Sequence, residues 1–309
     1  MVTPKRGWVA AGALVVGAVL ALSACSSSNP LSNGTGSASA SQTTVTVGSA
    51  AFSENVILAN IYGQALAANG FDVKYKLNIG AREAYIPALK SGEIDLIPEY
   101  TGNLLAYFKR DSTAHTASDV LAALKTALPS GLTVLDPSKA EDKDSFNVTA
   151  EYAAKYNLKS IADLKNVGTF ALASSPEFLT RPQGMAGLQR LYGLTGIKFT
   201  AISDGGGPAT LKALLDNTVQ VADIYTTTPS ILANKLVTLD DPKHLIGAQQ
   251  VIPLLSSSKN SSKLAEVLNK VSAALTTQDL LELNTQVVGP SKTDPAQAAK
   301  DWLAKAKLF

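Results

Sequence analysis

One stretch of this chain occurs twice. Ala88-Leu89-Lys90-Ser91-Gly92-Glu93-Ile94-Asp95-Leu96-Ile97-Pro98-Glu99-Tyr100-Thr101 aligns with Ala213-Leu214-Leu215-Asp216-Asn217-Thr218-Val219-Gln220-Val221-Ala222-Asp223-Ile224-Tyr225-Thr226 at an offset of 125 residues. Four of the 14 positions are identical and two more exchange Ile or Leu for Val. Both copies read as helix end, turn, short apolar strand, then Tyr-Thr.

The flanking segments repeat in the same order. Val45 to Gly48 alternates like a strand, and Glu54 to Ala68 has apolar residues at helical spacing, with Ser53 as its N-cap and Asn69-Gly70 as its stop. Phe71 to Leu77 alternates again, Ile86 to Leu89 starts a short helix, and Ile94 to Ile97 is a third strand. Before the second copy, Gly168 to Ala173 is strand-like, Gly184 to Tyr192 helix-like and Ile197 to Ile202 strand-like. A βαβαβ order used twice predicts an α/β protein of two lobes built on one plan, each around a mostly parallel sheet. The length of 309 residues, 46% of them apolar, is enough to bury two such cores.

That geometry points to a site. Ligands of open parallel sheets collect beyond the carboxyl ends of the strands. Tyr100 and Tyr225 stand just past such ends, one in each repeat, so two facing lobes place their phenols across a shared cleft that closes by hinge motion. The alternative is that each Tyr is a rim residue packing on its own sheet.

The rest of the chain supplies crossings and cover. His115 to Leu128 is an amphipathic helix and Leu132 to Leu135 a strand; Lys143 to Ala150 is a crossing, and Thr149 to Tyr156 starts a helix. Leu236 to Leu239 precedes a break at Asp241-Pro242, the second crossing. Lys263 to Leu275 and Thr277 to Asn284 are helices returning to the first lobe, and Asp294-Pro295 opens a last helix running to Lys307. Lobe I is therefore expected over 45–136 and 242–309, and lobe II over 137–241.

The N-terminus reads as an address. Lys5 and Arg6 precede an apolar run from Trp8 to Leu22 and the lipobox Leu22-Ser23-Ala24-Cys25. A 15-residue run is short for a ~30 Å hydrocarbon core, which favours a cleaved signal peptide over 1–24 against the alternative of a permanent anchor helix. Cys25 then becomes a lipidated N-terminus, and 25–44, rich in Ser, Gly, Asn, Thr and Ala, a flexible tether. The expected location is the outer face of the cell membrane, held by lipid alone.

Charge and composition exclude other classes. Lys and Arg number 27 against 25 Asp and Glu, and removal of Lys5 and Arg6 leaves a balanced chain with no electrostatic reason to hold nucleic acid. A single Cys and two His, at 115 and 244, exclude disulfide frameworks and zinc clusters, so no metal or cofactor is expected. Gly205-Gly206-Gly207 lacks a following Lys-Ser/Thr and reads as a turn and not a phosphate cradle. No exposed oligomerisation stripe is evident, and a monomer is expected.

Four blocks resemble a known family. Gly48-Ser49-Ala50-Ala51-Phe52-Ser53-Glu54-Asn55, Pro98-Glu99-Tyr100-Thr101-Gly102, Glu177-Phe178-Leu179-Thr180-Arg181-Pro182-Gln183-Gly184 and Leu283-Asn284-Thr285-Gln286-Val287 are similar, in order over about 45–308, to the ProX-like osmoprotectant-binding lipoproteins of ABC importers, which take glycine betaine, choline or carnitine. The resemblance implies a type II periplasmic-binding fold with two hinge crossings, a permease and its ATPase as partners, and a cage of tyrosines around a quaternary ammonium. Carried over by position, the cage includes Tyr100 and Tyr225. The family often has Asn-Asn-Thr-Tyr where this chain has Glu141-Asp142-Lys143-Asp144, which puts Asp144 at a third aromatic position, beside Asp142. A fourth aromatic falls at Gln249. Asn55 stands where the family usually has Gln, and Asn103 where it usually has Thr; Arg181 matches an Arg that meets a ligand carboxylate. The resemblance thus implies a solute receptor with half of its aromatic box replaced by polar groups.

Several alternatives stay open at this stage. A carboxylate and an amide suit hydroxyls as well as cations, so a polyol or phenolic solute competes with the quaternary amines. Arg181 has Glu177 at helical spacing as an alternative partner, and Asp142 and Asp144 have a solvated loop as an alternative setting. An envelope hydrolase built on those carboxylates is a second functional class, although no Gly-x-Ser-x-Gly elbow or Ser partner for a His accompanies them, and a structural or adhesive lipoprotein is a third, which would not need tyrosines placed alike in two lobes.

Overall fold

The computed structural model describes residues 44–309. The expected signal peptide, Cys25 and all of the tether but its last residue lie outside the described residues. Among the described residues ten strands form two five-stranded sheets. The first contains β1 (Thr44–Gly48), β2 (Asp72–Lys76), β3 (Leu96–Tyr100) and β4 (Leu132–Val134); the second contains β5 (Phe146–Val148), β6 (Phe170–Ser174), β7 (Ile197–Ala201), β8 (Val221–Asp223) and β9 (Val237–Thr238). The chain then returns to the first sheet as β10 (Val251–Ser256).

The strand orders are β2-β1-β3-β10-β4 and β7-β6-β8-β5-β9. In each sheet the first three strands are parallel, and the fourth is antiparallel to both of its neighbours. Four strands of five therefore share a direction, as the sequence pattern predicts. The reversed strand in each case, β5 or β10, is the one that enters directly from the other sheet. The pairings Val47 with Leu96 and Leu172 with Val221 sit 125 residues apart, so the repeat read in the sequence is a repeat of fold.

Side-chain alternation along the strands feeds two cores in each sheet. Val45, Val47, Leu96, Val251 and Leu255 pack under helix Ser53–Ala68 and the C-terminal helices Ser262–Ala274, Thr277–Val288 and Pro295–Ala306. Ile97, Ile252 and Leu254 face the other way, against Tyr85, Ile86, Leu104 and Val120 of the helices Arg82–Ser91, Thr101–Phe108 and Ala117–Ala127. Helix Ser53–Ala68 is buried on nearly every side because it lies between the sheet and the C-terminal helices, which explains an apolar sequence with little amphipathic bias. In the second sheet Leu172 and Val221 face one core while Ala173 and Ala222 face another.

Some boundaries differ from the pattern. The N-cap of the first helix is Phe52, in extended backbone, and Ser53 is its first helical residue. The third strand starts later and runs through Pro98-Glu99 to Tyr100, since pairing with β10 continues along those residues. The segment 143–150, expected as a crossing, contains β5, so the chain leaves the first sheet after Val134 and joins the second at Phe146; it returns between Thr238 and Val251. Asp294 caps the last helix as predicted, accepting from the N–H groups of Ala296 and Gln297.

Candidate functional site

A cavity of about 290 Å³ opens between the sheets. Its lining comes from the carboxyl ends of the three mutually parallel strands in each sheet: Ala50 to Phe52 follow β1, Gly80, Ala81, Arg82 and Tyr85 follow β2, and Tyr100 and Asn103 stand at the end of β3. From the second sheet come Ser175, Glu177 and Arg181 after β6, Ser203 and Gly205 after β7, and Tyr225 after β8. The first crossing adds Asp142 and Asp144.

Four aromatic side chains line this space: Phe52, Tyr85, Tyr100 and Tyr225. The Phe52 ring lies 6.1 Å from that of Tyr100, tilted by 32°, and 5.4 Å from that of Tyr225, edge to face at 70°. Tyr100 and Tyr225 thus meet across the cavity through Phe52. The loop bearing Gly205 approaches so closely that a Cβ there would lie 3.0 Å from the Cβ of Phe52; with φ at +62°, this position suits glycine on two counts.

Beneath the rings lies a buried carboxyl pair. Tyr100 donates its hydroxyl to Glu54 Oε1 at 2.7 Å, while Thr227 Oγ1 and Asn284 Nδ2 donate to Oε2 at 2.5 and 2.7 Å. Asp142 is a further partner of Glu54 and accepts from Thr226 Oγ1 and the Thr227 N–H, each at 3.1 Å. Burial pushes the Glu54 carboxyl up, and burial together with the charge of Glu54 holds Asp142 well above the usual carboxylate range. Three neutral donors converge on Glu54 and two on Asp142. The cluster ties together the first helix, the end of β3, the first crossing, the segment after β8 and a C-terminal helix.

A second buried assembly holds the Tyr85 side. Arg82 Nε and Nη2 make a two-pronged pair with Glu99 at 2.7 and 2.8 Å, Tyr85 donates to Glu99 Oε1 at 2.8 Å, and the Tyr100 N–H donates to Oε2 at 2.9 Å. Burial opposes the guanidinium charge, but the Glu99 carboxylate outweighs it and holds Arg82 well above its ordinary value. Asp223, at the end of β8, is held well above the carboxylate range by burial and then by Asp144.

The sequence-predicted residues divide into two groups. Tyr100, Tyr225, Asn103, Asp142, Asp144 and Arg181 line the cavity. Arg181 Nη2 lies 3.6 Å from Glu83 Oε2, an ion pair linking the second sheet's loops to the first sheet's, where Glu177 was the expected alternative partner. Asn55 does not reach the cavity: its Oδ1 accepts from Ala50 N–H at 2.8 Å and its Nδ2 donates to Pro98 O at 3.0 Å, so it fixes the loop behind Phe52. Gln249 lies behind the wall as well, its amide paired with Asn103, accepting from the backbone N–H and donating to Oδ1, both at 2.9 Å. Asn103 passes this hold on, donating to Asp144 Oδ2 at 2.8 Å.

Sequence reasoning missed Phe52, Tyr85, Arg82 and Glu54 as site residues. The cavity is lined by four aromatic side chains, two of them at positions other than those the resemblance implied. Each missed residue follows the carboxyl end of a parallel strand, so the rule that singled out Tyr100 and Tyr225, applied to β1 and β2 as well, would have found them.

Two sheets joined by two crossings, with a solute-sized cavity lined from both, define a binding protein. Residues 43–305 match the family described as the substrate binding domain of ABC-type glycine betaine transport systems, and the chain belongs to that family. This is a solute-binding class and not an enzyme class. The glycine betaine-binding protein YehZ of Escherichia coli K12 is 30% identical over 273 residues, covering 84% of this chain and 89% of the relative. A glycine-betaine-binding protein of Pseudomonas aeruginosa is 26% identical over 281 residues, covering 86% and 89%. A crystal structure of a glycine betaine/carnitine/choline ABC transporter shares the fold, with a TM-score of 0.68 at 21% identity over 86% of this chain and 99% of that one. Among the described residues no helix is long and apolar enough to cross a membrane.

Proposed function

We propose that this protein captures a small quaternary ammonium solute, such as glycine betaine, choline or carnitine, and delivers it to an ABC permease driven by its ATPase. One observation carries the reading: Phe52 touches both Tyr100 and Tyr225 on a cavity that Tyr85 also lines, an arrangement whose π faces attract a cation while its methyl groups gain apolar contact. Asp144 and Glu177 add negative charge on the same lining. Arg181, held only by a single 3.6 Å contact to Glu83 where Arg82 is bound two-pronged by Glu99, provides a donor for the carboxylate of a betaine or carnitine. Asn103 acts on the solute through Asp144, and Asn55 and Gln249 are supports for the lining.

In this reading 45–136 with 242–309 form one lobe and 137–241 the other, hinged at the two crossings. The signal peptide is removed, Cys25 carries lipid, and the tether holds a monomeric receptor at the outer face of the membrane. A thermal-shift panel of betaine, choline, carnitine, polyols and phenolics tests the solute class. A ligand at 100 times its Kd adds about 2.7 kcal/mol. Stabilisation by quaternary ammonium solutes, reduced in Tyr225→Ala, is the expected result. Stabilisation by a polyol or phenolic alone moves the ligand class, and turnover of an envelope substrate with no solute response overturns the receptor.

A further inference from the structure

A second cavity, of about 300 Å³, lies on the far side of the Asn103 wall. It is lined by Lys109, Arg110, Arg190 and Lys243 and by two imidazoles, His115 and His244, whose rings stack with centroids 4.7 Å apart and planes within 11°. Among the described residues no Asp or Glu lines it. The chain as a whole is almost balanced in charge, so this lining departs from its surroundings.

None of the four cations is in an ion pair among the described residues. Asp241, the nearest carboxylate in sequence to Lys243, has both oxygens occupied, by the Tyr192 hydroxyl and by the Ile246 N–H. Arg110 and Lys243 each give one hydrogen bond to a main-chain carbonyl, of Thr180 and Leu191, which fixes their position without neutralising them. Lys109, Arg110 and His115 come from the first sheet's side, Arg190 from the second's, and Lys243 and His244 from the returning crossing. Like charges gathered around one hollow repel, and a multiply charged oxyanion turns that repulsion into attraction.

We propose that this second cavity is an anion site for a phosphate-bearing ligand. A guanidinium fork matches two phosphate oxygens, the ammonium groups act as point charges, and imidazole N–H groups complete the donor set. The site stands independently of the solute reading. Its position adds a coupling: Asn103 lines both cavities, accepts from Gln183 and Gln249 on this side at 2.7 and 2.9 Å, and donates to Asp144 on the other at 2.8 Å. An anion that draws the two sides together therefore raises affinity in the solute cavity, and the solute raises anion affinity by the same factor.

The experiment is calorimetric titration of the full chain in detergent with pyrophosphate and inorganic phosphate, against sodium chloride at equal ionic strength, with no solute present. Saturable one-site binding is expected, tighter for pyrophosphate, and weakened at least tenfold in Lys109→Ala/Arg190→Ala; that variant keeps its solute response in anion-free buffer. Flotation with phosphatidylglycerol vesicles, scored against phosphatidylcholine vesicles that the lipid anchor binds alike, separates the sources: an excess on phosphatidylglycerol that the same variant loses identifies a lipid headgroup, and phosphate binding without that excess identifies a free phosphate compound. A response that sodium chloride reproduces, or that survives the double substitution unchanged, overturns the site. Repetition with solute present tests the coupling, and equal anion affinity with and without solute refutes that part alone.

Discussion

Tyr100 spends its hydroxyl on Glu54, 2.7 Å away, and faces the cavity with its ring. The bond fixes the ring plane, and a phenol that donates a hydrogen bond to a carboxylate becomes richer in π density, which favours a cation on its face. Tyr100→Phe therefore separates two roles. Loss of a hydrogen bond to a charged group is expected to cost about 1.5–3 kcal/mol of stability while solute affinity changes only a few-fold. Tyr100→Ala loses both. Urea unfolding and calorimetric titration of the two variants distinguish these outcomes, and an equal loss of affinity in both assigns the hydroxyl to the ligand.

The carboxyl pair below predicts a pH dependence with a definite sign. Glu54 and Asp142 are raised above their ordinary values of 4.5 and 3.8, so the folded chain keeps a proton that the unfolded chain releases. Stability from the pair is complete below the ordinary values and is lost as pH climbs through the raised ones. Asp142→Asn imitates the protonated carboxyl, so its advantage over the parent should grow with pH. Glu54→Gln instead sets an amide N–H₂ against three donors and is expected to cost about 1–3 kcal/mol. Denaturation profiles from acid to alkaline pH that run parallel for the parent and Asp142→Asn contradict the pairing.

Glu99 is fully buried and serves Arg82, Tyr85 and the Tyr100 N–H together. Glu99→Ala leaves a buried guanidinium without its partner, at an expected cost of about 3–5 kcal/mol in urea unfolding. A cost below 1 kcal/mol means that water reaches Arg82 and the assembly is not closed.

Gly205 predicts a smaller and more local effect. Gly205→Ala places a methyl group 3.0 Å from the Cβ of Phe52 at a positive φ, so a loss of about 1 kcal/mol in stability is expected, with a drop in solute affinity as Phe52 is displaced. Unchanged affinity shows that Phe52 is not part of the solute contact.

Much of this architecture is legible in the sequence because the two halves repeat at one spacing. Tyr100 and Tyr225 were identifiable since strand, turn and Tyr-Thr recur together, and β2 and β7 followed from plain alternation. Other features depend on distances in space. Nothing local marks Glu54 as the partner of Asn284, 230 residues away, or Gln249 as the support of Asn103. Phe52 looks like an ordinary core aromatic and contributes to the site only because the turn after β1 and the glycine loop after β7 converge. Position matching put the missing rings at Asp144 and Gln249, whereas the cavity takes Phe52 and Tyr85 from loops on its other sides.

The central claim is that aromatic faces hold a positive charge between the two sheets. Paired calorimetric titrations with choline and its uncharged isostere 3,3-dimethylbutan-1-ol isolate that charge, because shape and apolar area are nearly equal. The account predicts that choline binds one to one and at least tenfold more tightly, about 1.4 kcal/mol, with the difference reduced in Tyr225→Ala and Phe52→Ala. Equal affinity for the two compounds, or a preference untouched by either substitution, contradicts it.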